Sequence, residues 1–488
     1  MIDHVFVLML ENRSYDHLFG LGRPQATAIP ATASFAAGAP DRCPQDPPHE
    51  FLDVQHQIHG GAMDGFDTDP QRRGFVAADL PTLNELADRY VLFDNWFSSL
   101  PGPTWPNRFF VHAATSGGLC TSPSNFQSAG AVILPDEHYQ FDNGTLFDLL
   151  EKKFPGETPW RVYHGDVSPQ VLALPGMVQR YYQGNKYFRS TYPTRQPDGT
   201  PNDDGFAADV NSSAGYAPRY TFIEPDFAVQ LLGSTAFSTG DSMHPCGLAS
   251  AGDRLVRYVY ESLSGSPIWA SSVLLVLWDE HGGFYDHVAP PAATPPGDTE
   301  HNRAKGDGST FAFDRLGVRV PALLIGPNVP AGGLGSSLFP GCAFDHASVV
   351  STVRDIFQLG GPLTNRDRDA PAWNGCLAAP APVPVPAMDA KLVSRPLAAA
   401  SPAKRRRAAR PVVDGFAGGM GLIAMELDKV GAQVSNQPPV GDFAPKSVAD
   451  FHVAREASLR SGTFPRVLGK YIGDVRARAA AIKARAEV

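Results

Sequence analysis

Six short apolar runs constrain this chain more than any other feature, because runs of that length without polar alternation fit strands buried on both faces of a sheet. They are Val5 to Leu10, Tyr90 to Phe93, Trp160 to Tyr163, Tyr220 to Ile223, Val273 to Trp278 and Pro321 to Ile325. Helical patterns lie between them at Leu83 to Arg89, Thr145 to Lys153, Gly252 to Leu263 and Ala347 to Leu359, with Asp345 or His346 near the start of the last. Alternation of this kind predicts an α/β layered fold, a central mainly parallel sheet flanked by helices.

Two of the runs end in pairs of oxygen-bearing side chains, three of the four acidic. Val5 to Leu10 is followed by Glu11 and Asn12, and Val273 to Trp278 by Asp279 and Glu280. Open α/β sheets bind ligands beyond the carboxyl ends of their strands. Three carboxylates and an amide gathered at one sheet edge repel one another unless a proton or a cation intervenes, and oxygen donors suit a hard divalent ion such as Ca²⁺, Mg²⁺ or Mn²⁺ without excluding Zn²⁺. The competing reading makes them helix caps or partners of Arg13 and His281.

Between Pro101 and Arg108 three prolines and a glycine surround Thr104, and the residues that follow have helical character. A hydroxyl beside a helix N-terminus meets unpaired N–H groups and a positive dipole end, which suit a phosphoryl group and an alkoxide; an ordinary threonine cap is the alternative. His49, His244, His281 and His287 add acid–base capacity, His281 directly beside the acidic pair. His17 reads as an anchor for the loop after the first strand, and His346 as either a helix cap or a support for the site.

The formal net charge of −9 offers no basic field for nucleic acid. Five scattered cysteines give neither a zinc pattern nor a disulfide framework. No run nears the roughly eighteen apolar residues of a membrane span, and no signal peptide is visible, so the expectation is a soluble protein, cytoplasmic by default. Pro- and Gly-rich segments at Arg23 to Pro48, Tyr192 to Ala217 and Pro290 to Ser309 read as long surface insertions. A catalytic domain over 1–380, a Pro/Ala-rich linker with the basic run Lys404 to Arg407 over 381–410, and a small helical extension over 411–488 complete the expected organisation.

These motifs resemble the phosphoesterase family that includes bacterial phospholipases C, plant non-specific phospholipases C and a group of acid phosphatases. The likeness rests on Glu11 to His17, Asp46 to His49, Met63 to Phe66, Pro103 to Arg108, Tyr220 to Pro225, His244-Pro245, Trp278 to His287 and Asp345 to Ser348, covering about residues 1 to 376. It implies an alkaline-phosphatase-like fold, Thr104 as nucleophile, and one divalent metal on Glu11, Asn12, Asp279 and Glu280. It further implies His49 and His244 around the phosphoryl group, His281 and His287 in supporting catalytic places, and substrate contacts from Asn107 and Arg108. The implied partner is a phospholipid or small phosphate ester, with transient contact to a membrane surface. Members are often exported, and many bacterial phospholipases C carry C-terminal β-sandwich repeats that the tail here does not resemble. Two other readings remain: an acid phosphatase acting on monoesters, and a silent membrane-surface or partner-binding scaffold.

Overall fold

The computed structural model describes residues 2–122, 139–165, 169–181, 183, 185–193, 201–227, 239–303 and 310–377, with isolated positions at 474, 475, 478 and 481. The expected linker and all but those isolated positions of the C-terminal extension lie outside the described residues, as does the basic run at Lys404 to Arg407.

Among the described residues ten strands occur in chain order: β1 His4–Leu10, β2 Ala36–Ala37, β3 Arg73–Gly74, β4 Val91–Phe93, β5 Trp160–His164, β6 Phe188–Ser190, β7 Tyr220–Glu224, β8 Ser272–Trp278, β9 Ala322–Ile325 and β10 Gly333–Leu334. Eight of them form one sheet in the order β10-β4-β9-β8-β1-β7-β5-β6, and β2 pairs with β3 apart from it. All six expected strands are present. The sheet is mainly parallel, as expected, except that β9 runs antiparallel to both of its neighbours, β4 and β8.

Every residue of β7, β8 and β9 is buried, which explains why these strands carry no polar alternation. A fully buried side chain such as Leu275 contributes about 1.5–3 kcal/mol relative to an exposed one. The main layers of helix are Pro81–Arg89, Thr104–Ala113, Leu146–Lys153, Ala249–Ser264 and Ala347–Phe357, each with a buried apolar side. Thr145 caps its helix through the Asp148 amide, a capping box that the sequence run from Thr145 already contained.

The insertions are less superficial than their composition suggests. Within Arg23 to Pro48, Asp41 and Cys43 are buried, with Asp41 accepting from the Ser250 amide and hydroxyl. Asn302, in the insertion from Pro290, bonds to Ser116 and Gln140. No helix among the described residues is long and apolar enough to cross a membrane.

Candidate active site at the carboxyl edge of the sheet

The register of the sheet creates the site. Leu10 pairs with Trp278 across parallel β1 and β8, so Glu11 and Asp279 leave the sheet side by side, and the Asp279 amide donates to Leu10 O at 3.2 Å. Asn12 follows with a left-handed backbone, φ 59°. A short polar side chain tolerates that conformation. Its inward turn is backed by Gly282 at φ +66°, where a Cβ would lie 2.2 Å from Asn12 O. Only glycine fits there.

The Asn12 amide is the meeting point. Its backbone N–H donates to Asp279 Oδ1 at 3.0 Å, while Nδ2 bonds to Glu280 Oε1, reaches Thr104 Oγ1 at 3.4 Å and lies 3.4 Å from His49 Nε2. Four segments far apart in sequence thus converge.

Thr104 is the first residue of the helix Thr104–Ala113, and Pro103 occupies the cap position. The hydroxyl is therefore not spent as a helix cap. Asn107 and Arg108, expected to contact substrate, are instead committed within the protein. Asn107 Oδ1 accepts from the Leu100 amide, and Nδ2 donates to Leu100, Gly102 and Pro103 carbonyls, closing the turn before Thr104. Arg108 bonds Asp279 Oδ2 at 2.8 Å, Glu224 Oε1 at 3.2 Å and the carbonyls of Met9 and Leu10. These bonds hold the turn before Thr104 and the acidic edge in place.

Among the acidic residues the demands differ. Asp279 has both oxygens hydrogen-bonded, and Glu280 Oε2 accepts from the Gly282 amide at 2.7 Å. Glu11 is fully buried and neither of its oxygens makes a hydrogen bond; Asn12 Oδ1 is likewise without one. Burial, reinforced by Asp279, raises the Glu11 carboxyl well above its ordinary range although Arg108 and the Ser242 side chain oppose the shift. Burial also raises Asp279 to about 6 against the pull of Arg108. Orphaned buried oxygens of this kind fit a cation. The all-oxygen donor set suits a hard one.

His49 donates from Nδ1 to Pro47 O at 2.7 Å, which leaves Nε2 facing the centre, 3.9 Å from Glu280 Oε1. Burial would lower this imidazole, but Glu280, Asp46 and the Pro47 carbonyl outweigh it and push it up to about 10. His244 stands 6.2 Å from His49, ring to ring, and burial with the nearby His49 and Arg13 charges holds it well below 6.5. His281 is pinned by Gln57 at 2.7 Å and lies 3.4 Å from Glu280, so it orients that carboxylate. His346 donates from Nε2 to Asp279 O at 2.6 Å and makes no helix-capping bond, which places it in support of the site.

His287 belongs elsewhere. It bonds Asp16 Oδ2 and Thr27, inside a cluster where Arg319 bridges Asp16 at 2.9 Å and Asp286 at 3.1 Å. His17 lies in the helix after β1, bonded to Arg13 and stacked 3.7 Å from Phe284, as its anchoring role requires. Of six aromatic residues in segments that could form the mouth, for which core packing is the expected role and a lipid or choline pocket the alternative, Trp96, Phe97, Trp105, Phe109 and Tyr181 are buried in the core, and Tyr182 lies outside the described residues.

Two residues escaped the sequence reading. Arg13 does not pair with the acidic edge; its guanidinium holds Met243 O and His244 O, fixing the His244 segment. Asp46 lies 4.0 Å from His49 and 3.6 Å from His244. Its signal was present as an acid three residues before His49. Two ligand clusters are drawn tighter than the expected set, Asp46 with His244 and Cys246, and Asp16 with Asp286 and His287, their ligand atoms within 4.8 Å of one another.

A family model described as the Phosphoesterase family matches residues 2–360. Non-specific phospholipase C6 of Arabidopsis thaliana is 31% identical over 407 residues, covering 76% of this chain and 70% of that protein. Phospholipase C B of Mycobacterium tuberculosis is 27% identical over 432 residues, covering 76% of each. Among solved structures, a protein in the alkaline phosphatase superfamily from Vibrio parahaemolyticus aligns at 13% identity with a TM-score of 0.35, over 76% of this chain and 70% of that one.

Proposed function

The chain belongs to the Phosphoesterase family and is a phosphoric ester hydrolase, and from that premise we propose that it cleaves phospholipids in the manner of a phospholipase C, with Thr104 as nucleophile. One observation carries this reading: the Thr104 hydroxyl, at a helix N-terminus, shares the Asn12 amide with Glu280 and His49. The Thr104 alkoxide, its proton already released to solvent, attacks phosphorus in line, forming a bond from Oγ while the bond to the leaving alcohol breaks. The first-turn N–H groups and Asn12 Nδ2 stabilise the negative charge on the threonine oxygen. His244 or His49 delivers the proton that the departing alcohol needs. Water then hydrolyses the phosphothreonine with a histidine taking its proton, two inversions giving retention at phosphorus. A divalent ion held by Glu11, Asn12, Asp279 and Glu280 would supply charge neutralisation at a non-bridging oxygen and a lower pKa for the hydroxyl.

For a phospholipid the products are diacylglycerol and a phosphorylated headgroup. Asn107, Arg108, His281 and His346 act as positioning residues in this scheme. Comparing turnover of p-nitrophenyl phosphorylcholine with p-nitrophenyl phosphate, with metal analysis of the same sample, tests it. Strong preference for the diester is expected; preference for the monoester selects an acid phosphatase instead, and inertness toward both selects a silent scaffold.

A further inference from the structure

Asp46, His244 and Cys246 form a mixed cluster that the proposed mechanism does not use as a unit. Each offers one donor atom, and these atoms lie within 4.8 Å of one another. Oxygen, imidazole nitrogen and thiol sulfur together favour a borderline or soft ion over Mg²⁺ or Ca²⁺. The separation of Asp46 Oδ2 from His244 Nε2 is 3.6 Å. That is too long for a hydrogen bond. It matches the edge of a tetrahedron with metal–ligand bonds of about 2.0–2.3 Å, whose edges run to roughly 3.3–3.7 Å.

Access and charge agree. The Asp46 side chain is 30% exposed and Cys246 is partly exposed, while His244 is buried beneath them. Arg13 lies close to both Cys246 and Asp46, and coordination takes the sulfur as its thiolate. One thiolate and one carboxylate then neutralise a divalent ion. Coordination through Nε2 shifts the ring proton to Nδ1 and gives up the contact from the Cys246 amide, a bond already 3.3 Å long.

We propose that Asp46, His244 and Cys246 bind zinc or a zinc-like ion at the rim of the active site, and that the bound ion inhibits the enzyme by withdrawing His244 from proton transfer. The inhibition rests on the role proposed for His244, whereas the binding does not. The metal displaces the thiol proton to solvent, and no electron is transferred.

The test uses the full chain in excess Mg²⁺, which does not compete for a thiolate. Titration with Co²⁺ should produce a near-ultraviolet thiolate-to-cobalt band saturating near one equivalent, absent from Cys246→Ser. Zn²⁺ should inhibit p-nitrophenyl phosphate hydrolysis by the wild type, and Cys246→Ser should keep its basal rate while the half-inhibitory zinc concentration rises about 100-fold. Absence of the band, or its persistence in Cys246→Ser, overturns the site. A band that vanishes with the cysteine, in an enzyme zinc does not inhibit, overturns the inhibition and the His244 role together. Should Cys246→Ser fail to fold, Asp46→Asn must weaken the band in its place, and an unchanged titration overturns the site.

Discussion

Two buried charge clusters are built from the same two stretches of chain, and they are finished differently. The stretch after β1 sends Glu11 and Asn12 to one cluster and Asp16 to the other; the stretch after β8 sends Asp279 and Glu280 to the first and Asp286 and His287 to the second. In the second cluster Arg319 supplies a resident cation, bonded to both carboxylates and stacked 4.2 Å over Tyr15. In the first, Arg108 bonds Asp279 and one oxygen of Glu224, yet the Glu11 oxygens and Asn12 Oδ1 make no hydrogen bond. Closed clusters stabilise a fold, and open ones are available for chemistry. Proximity to a motif does not distinguish them; completion of the charge balance does.

The sharpest separation comes from the nucleophile. Thr104→Ala should retain the fold yet lose about 10⁴-fold or more in turnover on either chromogenic ester; a rate near wild type would remove Thr104 from the mechanism. In the closed cluster, Arg319→Met should lower unfolding free energy by about 3–5 kcal/mol, because two buried carboxylates lose their cation. Denaturant titration with and without chelator should give the same loss, since Arg319 already stands where a cation would. Glu11→Gln should behave in the opposite way: in chelated protein it should raise stability by about 1–2 kcal/mol by removing an unpartnered acid, while activity falls about 100-fold. A loss of stability like that of Arg319→Met would erase the distinction between the clusters.

The least direct effect concerns pH. Burial, with Asp16 adding and Arg319 opposing, pushes Asp286 up to about 7. Because this folded value exceeds the unfolded value of about 3.9, its contribution to stability is complete below about pH 4 and is lost as pH rises through 7. Asp286→Asn cannot titrate, so the gap in stability between wild type and variant should change by up to about 4 kcal/mol between pH 4 and pH 8. A constant gap across that range would show that Arg319 keeps Asp286 ionised throughout.

Much of the open cluster could be read from sequence because it uses local signals: buried apolar runs that stop at Glu11 and Asp279, and a rigid turn ahead of Thr104. The closed cluster could not, because Arg319 reaches Asp16 across 303 positions. His287 was assigned to the wrong cluster for a related reason. Gly282 and Gly283, both at positive φ, turn the chain between Glu280 and His287, so residues of one motif diverge. Asn107 and Arg108 show that a motif records which residues a site needs without saying whether they touch the ligand or hold what does. The antiparallel course of β9 left no mark in its apolar composition, since a strand buried on both faces looks the same in either direction.

The clasp that Asn107 makes on its own turn has a consequence for the range of molecules the enzyme can accept. One amide group secures Leu100, Gly102 and Pro103, so the Thr104 hydroxyl proposed as nucleophile is stationed before any ester arrives. Aim is independent of cargo. Descendants of such a protein can trade one leaving alcohol for another by reshaping the entrance alone, with no retuning of the weapon behind it.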